Sequence, residues 1–123
     1  MTARRTSVLM WIGVWAAPVA WALQHAAGVE LGLAQCDPTG ARWHIPLRTW
    51  SAVVAGLAAA LALAGLIAAL RAFRATRDCD DDDVPCTRIH MMALMGLTLS
   101  PLFLAIIVLN GLGTGLGDLC RTA

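Results

Sequence analysis

From Ser51 to Leu70 the chain reads SAVVAGLAAALALAGLIAAL, twenty residues with no charge and no proline. At 1.5 Å of rise per residue such a run forms a helix about 30 Å long, the thickness of a bilayer's hydrocarbon core. A helix satisfies its own backbone hydrogen bonds, which is what lipid demands of a spanning segment. The run is therefore a transmembrane helix, and the rest of the chain must be arranged around it.

Two further apolar runs flank it. Val8 to Leu33 is apolar apart from Gln24, His25 and Glu30 and comes after Arg4 and Arg5, while the third extends from about Ile89 to Leu112. The first is longer than the roughly 7 to 15 apolar residues of a secretory signal, and the residues after Arg4 and Arg5 fit a twin-arginine signal poorly, so it reads as a retained span. Of the 123 residues 59% are hydrophobic and 14% charged, too little polar surface for a water-soluble domain of this size. The expected fold is an all-α membrane protein, one three-helix transmembrane domain over 1–123 with spans at about 8–32, 49–71 and 89–112. Its loops are short, so consecutive helices pack antiparallel as a three-helix bundle. A net charge of +1 gives no reason to expect a nucleic-acid partner.

Orientation is set by arginine, because the chain has no lysine. A cytoplasmic N-terminus puts Arg4, Arg5, Arg71, Arg74, Arg77 and Arg88 inside and Arg42, Arg48 and Arg121 outside, six against three, and the intervening Asp run counts little. The expectation is N-in, C-out, multi-pass, in a bacterial inner (cytoplasmic) membrane. Trp43 and Trp50 then fall at an outer aromatic belt and Trp11 at the inner edge.

Pro18 and Pro101 lie near the middle of the first and third spans, where a missing N–H frees the carbonyls of Val14 and Leu97 and predicts two kinks. Thr98 and Ser100 are placed to re-satisfy such groups. The shape reading, two bent helices around a straight one, is preferred over a transporter hinge because three spans hold no inverted repeat. In the central run Ser51, Ala55, Ala58, Ala62, Gly65 and Ala69 form a heptad-spaced small-residue stripe, a weak indication of a partner since 12 of the 20 residues are Ala, Gly or Ser.

Gln24, His25 and Glu30 in the outer half of the first span are the leading candidates for function, as polar or partner contacts within the membrane, because ionisable groups at depth are expensive. His25 lies four positions after Trp21, on one face, and Glu30 is close enough to the outer surface to reach water. For His25 the readings are a hydrogen bond in a packed interface, a contact with a larger subunit, or ligand and proton chemistry. His25 and His90 differ in depth by about 25 Å and cannot share one haem iron. His44 beside His25 is not excluded by distance but lies in an interfacial loop, and no bound cofactor is expected.

Cys36 and Cys120 both fall on the outer, oxidising side and are expected to form a disulfide stapling the first and third helices, whereas Cys79 and Cys86 fall inside and are expected to stay reduced. In DCDDDDVPCTRIHMM, Cys79, Cys86 and His90 with an Asp offer a zinc set, and His90, Met91, Met92 and Met95 offer soft ligands for Cu(I). The preferred reading is a solvated acidic turn followed by methionine as helix filler, with no metal site. Gly111, Gly113, Gly115 and Gly117 read as a flexible helix exit rather than a phosphate loop, which would come after a strand. No nucleophile, base and orienting group fall together, so a catalytic site and an enzyme are not expected.

The runs APVAWALQHAAGVELGLAQC and SPLFLAIIVLNGLG and the final DLC resemble a family of small uncharacterised bacterial membrane proteins associated with haem-copper cytochrome c oxidases. Pro18, Trp21, Cys36, Ser100, Phe103, Asp118 and Cys120 carry the likeness, over about half the chain, and the Cys79 to Cys86 loop lies outside it. The resemblance implies a non-catalytic accessory subunit or assembly factor of a respiratory complex, partnered by its larger membrane subunits and involved in electron transport only through them. The alternatives are a membrane protein handling copper or zinc, and a small structural subunit of another membrane complex or transporter.

Overall fold

The computed structural model describes residues 2–36, 46–80 and 82–116. They form three helices, α1 (Ala3–Gln35), α2 (Leu47–Ala75) and α3 (Val84–Leu116), and no strand among the described residues. Each helix is long and apolar enough to cross a membrane, giving the architecture of a multi-pass membrane protein. Every helix packs on both others.

The helices outrun the spans expected from hydropathy at all six ends. Apolarity marks only the hydrocarbon part, whereas the helix continues into the interface, where arginines such as the exposed Arg71 and Arg74 are tolerated. The starts of α1 and α3 each lie five residues before the expected span, and at α3 the cause is local. Asp83 Oδ1 accepts the Cys86 backbone N–H at 3.5 Å and the Asp83 carbonyl accepts that of Thr87 at 3.0 Å, so Asp83 acts as the N-cap. Pro85 in the first turn needs no partner for an absent N–H, and the preceding carboxylates oppose the positive end of the helix dipole. At the end of α2, Thr76 turns its backbone N–H to the Ala72 and Phe73 carbonyls, and Arg74 sits at the negative end of the dipole.

Small residues set how close the helices come. A Cβ added to Gly13 on α1 would lie 2.8 Å from the Ala69 Cα of α2, and one on Gly96 of α3 would lie 2.9 Å from the Gly13 carbonyl oxygen. Three backbones thus converge at Gly13, Ala69 and Gly96. These contacts, with Gly65 against Ala16 and Gly111 against Ala55, fix the register: α2 runs antiparallel to α1 and α3, and α1 and α3 run parallel. Above the junction Ala17, Ala20, Ala58, Ala62 and Ile107 form one buried cluster, edged by Trp21 and Phe103. Below it Met10, Ala72 and Ala93 form the second, edged by Phe73 and Ile89.

Several expectations are revised by this packing. The stripe of α2 is not a surface kept for another chain: Ala58, Ala62, Gly65 and Ala69 are buried inside the bundle, because α1 and α3 themselves take the close approach it permits. Helices α1 and α3 continue through Pro18 and Pro101 as single elements, which neither shows nor removes the kinks expected there. Thr98 and Ser100 do not serve the Leu97 carbonyl; Thr98 donates to Met95 O at 2.9 Å, and Ser100 reaches across to Gly13 O of α1 at 3.3 Å. Gly111, Gly113 and Gly115 are not a helix exit either, since α3 extends through them to Leu116. Cys79 and Cys86, expected as free thiols, form a disulfide across the α2–α3 turn with 6.0 Å between their Cα atoms. The turn folds back on itself over a separation of seven residues, and this geometry, invisible to an assignment by compartment, brings the two sulfurs together.

Candidate functional site: a polar cleft at the Cys36 end of the bundle

Gln24 is buried within α1, 8% exposed, and its Nε2 donates to the Ile107 carbonyl of α3 at 3.1 Å. That carbonyl can only accept, which fixes the orientation of the amide and turns Oε1 the other way. No group among the described residues donates to Oε1. The register puts Gln24 level with about Ala58, seven residues or about 10 Å inside Ser51, the first residue of the uncharged stretch. Gln24 is thus held at hydrocarbon depth on one good bond.

A cleft of about 190 Å³ opens above it, bounded by Gln24, His25 and Gly28 of α1, Ser51 of α2, and Asn110 and Thr114 of α3. Gln24 is the buried member of this set and forms its floor. The hydroxyl protons are already committed: Ser51 donates to Arg48 O at 3.1 Å, and Thr114 to the Asn110 and Gly111 carbonyls at 3.2 and 3.0 Å. What these groups offer the cleft is oxygen lone pairs.

His25 stands at the rim, exposed, its ring stacked on Trp21 with 5.6 Å between centroids, and Trp21 in turn meets Phe103 at 5.7 Å. The expected i, i+4 pairing of Trp21 and His25 is therefore a real contact. Glu30 is exposed and outside the cleft, so the structure joins Gln24 to His25 and leaves Glu30 apart. Trp11 and Trp50 are exposed toward opposite ends of the bundle. Trp43, His44, Gly117, Asp118 and Cys120 lie outside the described residues, and with them the expected Cys36–Cys120 pairing. Cys36 itself closes α1, its N–H bonded to Gly32 O at 2.9 Å, and it is not free.

At the other end the candidate metal ligands have other engagements. Cys79 and Cys86 are joined, and a disulfide offers no thiolate. The His90 ring stacks on Phe73 at 4.5 Å, and its Nδ1 lies 3.1 Å from Thr76 Oγ1. Thr76 gives its own proton to Ala72 O at 2.9 Å, so His90 Nδ1–H is the donor of that pair. No group of three His, Cys, Asp or Glu side chains is placed to hold a metal among the described residues. The Gln24 bond to Ile107 O has no signal in the residue order, because a backbone acceptor on another helix depends on register rather than on residue type. Compared with protein-family models, with curated proteins and with solved structures, the chain matches none.

Proposed function

We propose that this chain is a non-catalytic accessory subunit or assembly factor of a respiratory haem-copper oxidase, docking a larger subunit through the α1 face that carries Trp21 and His25. The observation behind this reading is His25: an exposed imidazole about 9 Å inside the edge of the uncharged α2 stretch, where lipid offers it no hydrogen bond. A neighbouring subunit covers such a group and gives it a partner. The resemblance of the α1 and α3 runs supplies the kind of complex, and the excess of arginines at the α2–α3 turn supports an N-in, C-out orientation in a bacterial inner membrane.

The test is purification of the full chain in mild detergent, with identification of co-purifying chains, a haem spectrum and metal analysis. The expected result is haem-bearing oxidase subunits in the preparation, and a photo-crosslinker at position 25 that joins one of them. Bound copper without haem, lost when Cys79 and Cys86 become Ser, would instead identify a metal-handling protein. Subunits of a different complex would identify a structural role there.

A further inference from the structure

A groove between α1 and α3 at the end of the bundle near the α2–α3 turn has a binding chemistry of its own, which holds for either orientation of the chain and does not rest on the oxidase reading. We propose that it seats one zwitterionic phospholipid with a primary ammonium head, of the phosphatidylethanolamine type, its phosphate held by Arg88 and Ser7 and its ammonium turned to the aspartates of the turn.

The parallel helices build the site in layers. Ser7, Met10 and Trp11 of α1 and Arg88, Ile89 and Met92 of α3, each set at helical spacing, line a groove of about 410 Å³. Its deeper part is apolar: Met10 belongs to the buried cluster with Ala72 and Ala93, and Ile89 and Met92 pack against that cluster. Ser7 is the last residue before the apolar run of α1 and Arg88 the last before that of α3. A hydroxyl and a cation thus stand together at the edge of the hydrocarbon, the level of lipid headgroups, where basic pockets between spanning helices take them. Neither side chain has a hydrogen-bond or ion-pair partner among the described residues, so both are open to a ligand. The exposed ring of Trp11 belongs to the same interfacial level.

Charge selects the head. The Arg88 guanidinium can give parallel hydrogen bonds to a phosphate and balance its single negative charge. Val84, also in the lining, comes directly after Asp82 and Asp83, both exposed on the water side of the groove. Their carboxylates oppose a further negative charge on the ligand and attract a positive one. In this lipid class a short ethylene bridge carries the ammonium beyond the phosphate, toward water and the turn. A primary ammonium brings N–H donors to those carboxylates and a quaternary one brings none. The volume is well over twice the roughly 150 Å³ that holds a benzene ring, room for such a head and the start of an acyl chain. Arg4 and Arg5 border a separate depression with Thr2, Val8 and Leu9.

The experiment takes the full chain in mild detergent and titrates it with phosphatidylethanolamine, phosphatidylcholine, phosphatidylglycerol and diacylglycerol of matched short chains, counting bound lipid by native mass spectrometry. One phosphatidylethanolamine per chain is expected, held about tenfold more tightly than diacylglycerol, which lacks the phosphate, and about threefold more tightly than the other two. Arg88→Gln is expected to weaken it about tenfold, while Arg5→Gln, which removes an equal charge at the same end but outside the groove, is expected to leave it unchanged. Asp82→Asn with Asp83→Asn keeps a good helix cap and is expected to bring phosphatidylglycerol level with phosphatidylethanolamine. The proposal is overturned if phosphatidylglycerol binds the parent most tightly, if all four lipids bind alike, or if Arg5→Gln weakens binding as much as Arg88→Gln. Should a variant not fold, the lipid series on the parent chain decides.

Discussion

Ser100 on α3 gives its hydroxyl proton to the carbonyl oxygen of Gly13 on α1, 3.3 Å away, one turn from the point where Gly96 lies against the same carbonyl. One polar contact and one steric contact therefore hold the same pair of helices at the same level. They differ greatly in weight. Hydrogen bonds between transmembrane helices contribute about 0.6 kcal/mol on average, so Ser100→Ala is expected to lower stability by less than about 1 kcal/mol.

Gly13→Val is expected to cost far more. Its Cβ would overlap the Ala69 backbone rather than a flexible side-chain end, and relief requires α1 and α2 to separate. Overpacking of a fixed interior costs about 1 to 3 kcal/mol, and this position belongs at the upper end. Unfolding of both variants in mixed micelles, followed by helix content, separates the two effects; equal destabilisation would contradict the packing described.

The Cys79–Cys86 disulfide closes a short loop between α2 and α3. The chain-entropy relation gives about 2.5 kcal/mol for a loop of about eight residues, so replacing both cysteines by Ser is expected to lower stability by up to that amount, mostly through easier separation of α2 and α3 near the turn. Thermal unfolding with and without reductant checks it. A parent chain indifferent to reductant would show that the pair contributes nothing.

Thiol labelling reports orientation. The Cys79–Cys86 turn and Cys36 lie at opposite ends of the bundle. With the N-terminus inside, a membrane-impermeant maleimide applied to intact cells is expected to miss Cys79 and Cys86 even after an impermeant reductant, and to reach Cys36 only after reduction. The expected Cys36–Cys120 pairing predicts that Cys120→Ser exposes Cys36 to label without reductant. Labelling of Cys79 or Cys86 from outside would reverse the orientation.

His90 offers a further check on the acidic end. Its ring covers Phe73 and its Nδ1–H meets Thr76, so His90→Phe keeps the stack and loses one hydrogen bond, at an expected cost of about 1 kcal/mol, while His90→Ala loses both. Unfolding midpoints in the order parent, His90→Phe, His90→Ala are the expected outcome. A structural ring explains that order and a metal ligand does not, since Phe cannot ligate.

The three helices were legible because apolar length alone identifies a spanning segment, and α2 shows it most plainly. Their ends were not, because Asp83 and Pro85 start α3 by local hydrogen bonding and backbone geometry, which hydropathy does not sense. The capping signal was nonetheless present as an Asp just before a proline-bearing turn. Gln24 and His25 could be singled out as polar groups at depth, but nothing in the residue order distinguishes a stripe that faces a sister helix from one that faces another protein. Ala58, Ala62 and Gly65 fell to the bundle itself for that reason. The Cys79–Cys86 pairing depends on the reach of a short turn, which redox compartment does not reveal.

An interior built from methyl groups and bare backbone leaves little room for anything larger, and among the described residues Ile107 and Ser100 are the bulkiest side chains fully enclosed. Most of the described leucines, valines and tryptophans are turned outward instead, Leu23, Leu57, Leu102 and Trp15 among them. The molecule is thus inside-out relative to a protein folded by water: what its greasy side chains contribute is solubility in lipid, and what fastens it is intimacy between chains of alanine and glycine. Stripped of amphiphile, it would stick to its own kind through the whole of its outer surface before its centre had reason to loosen.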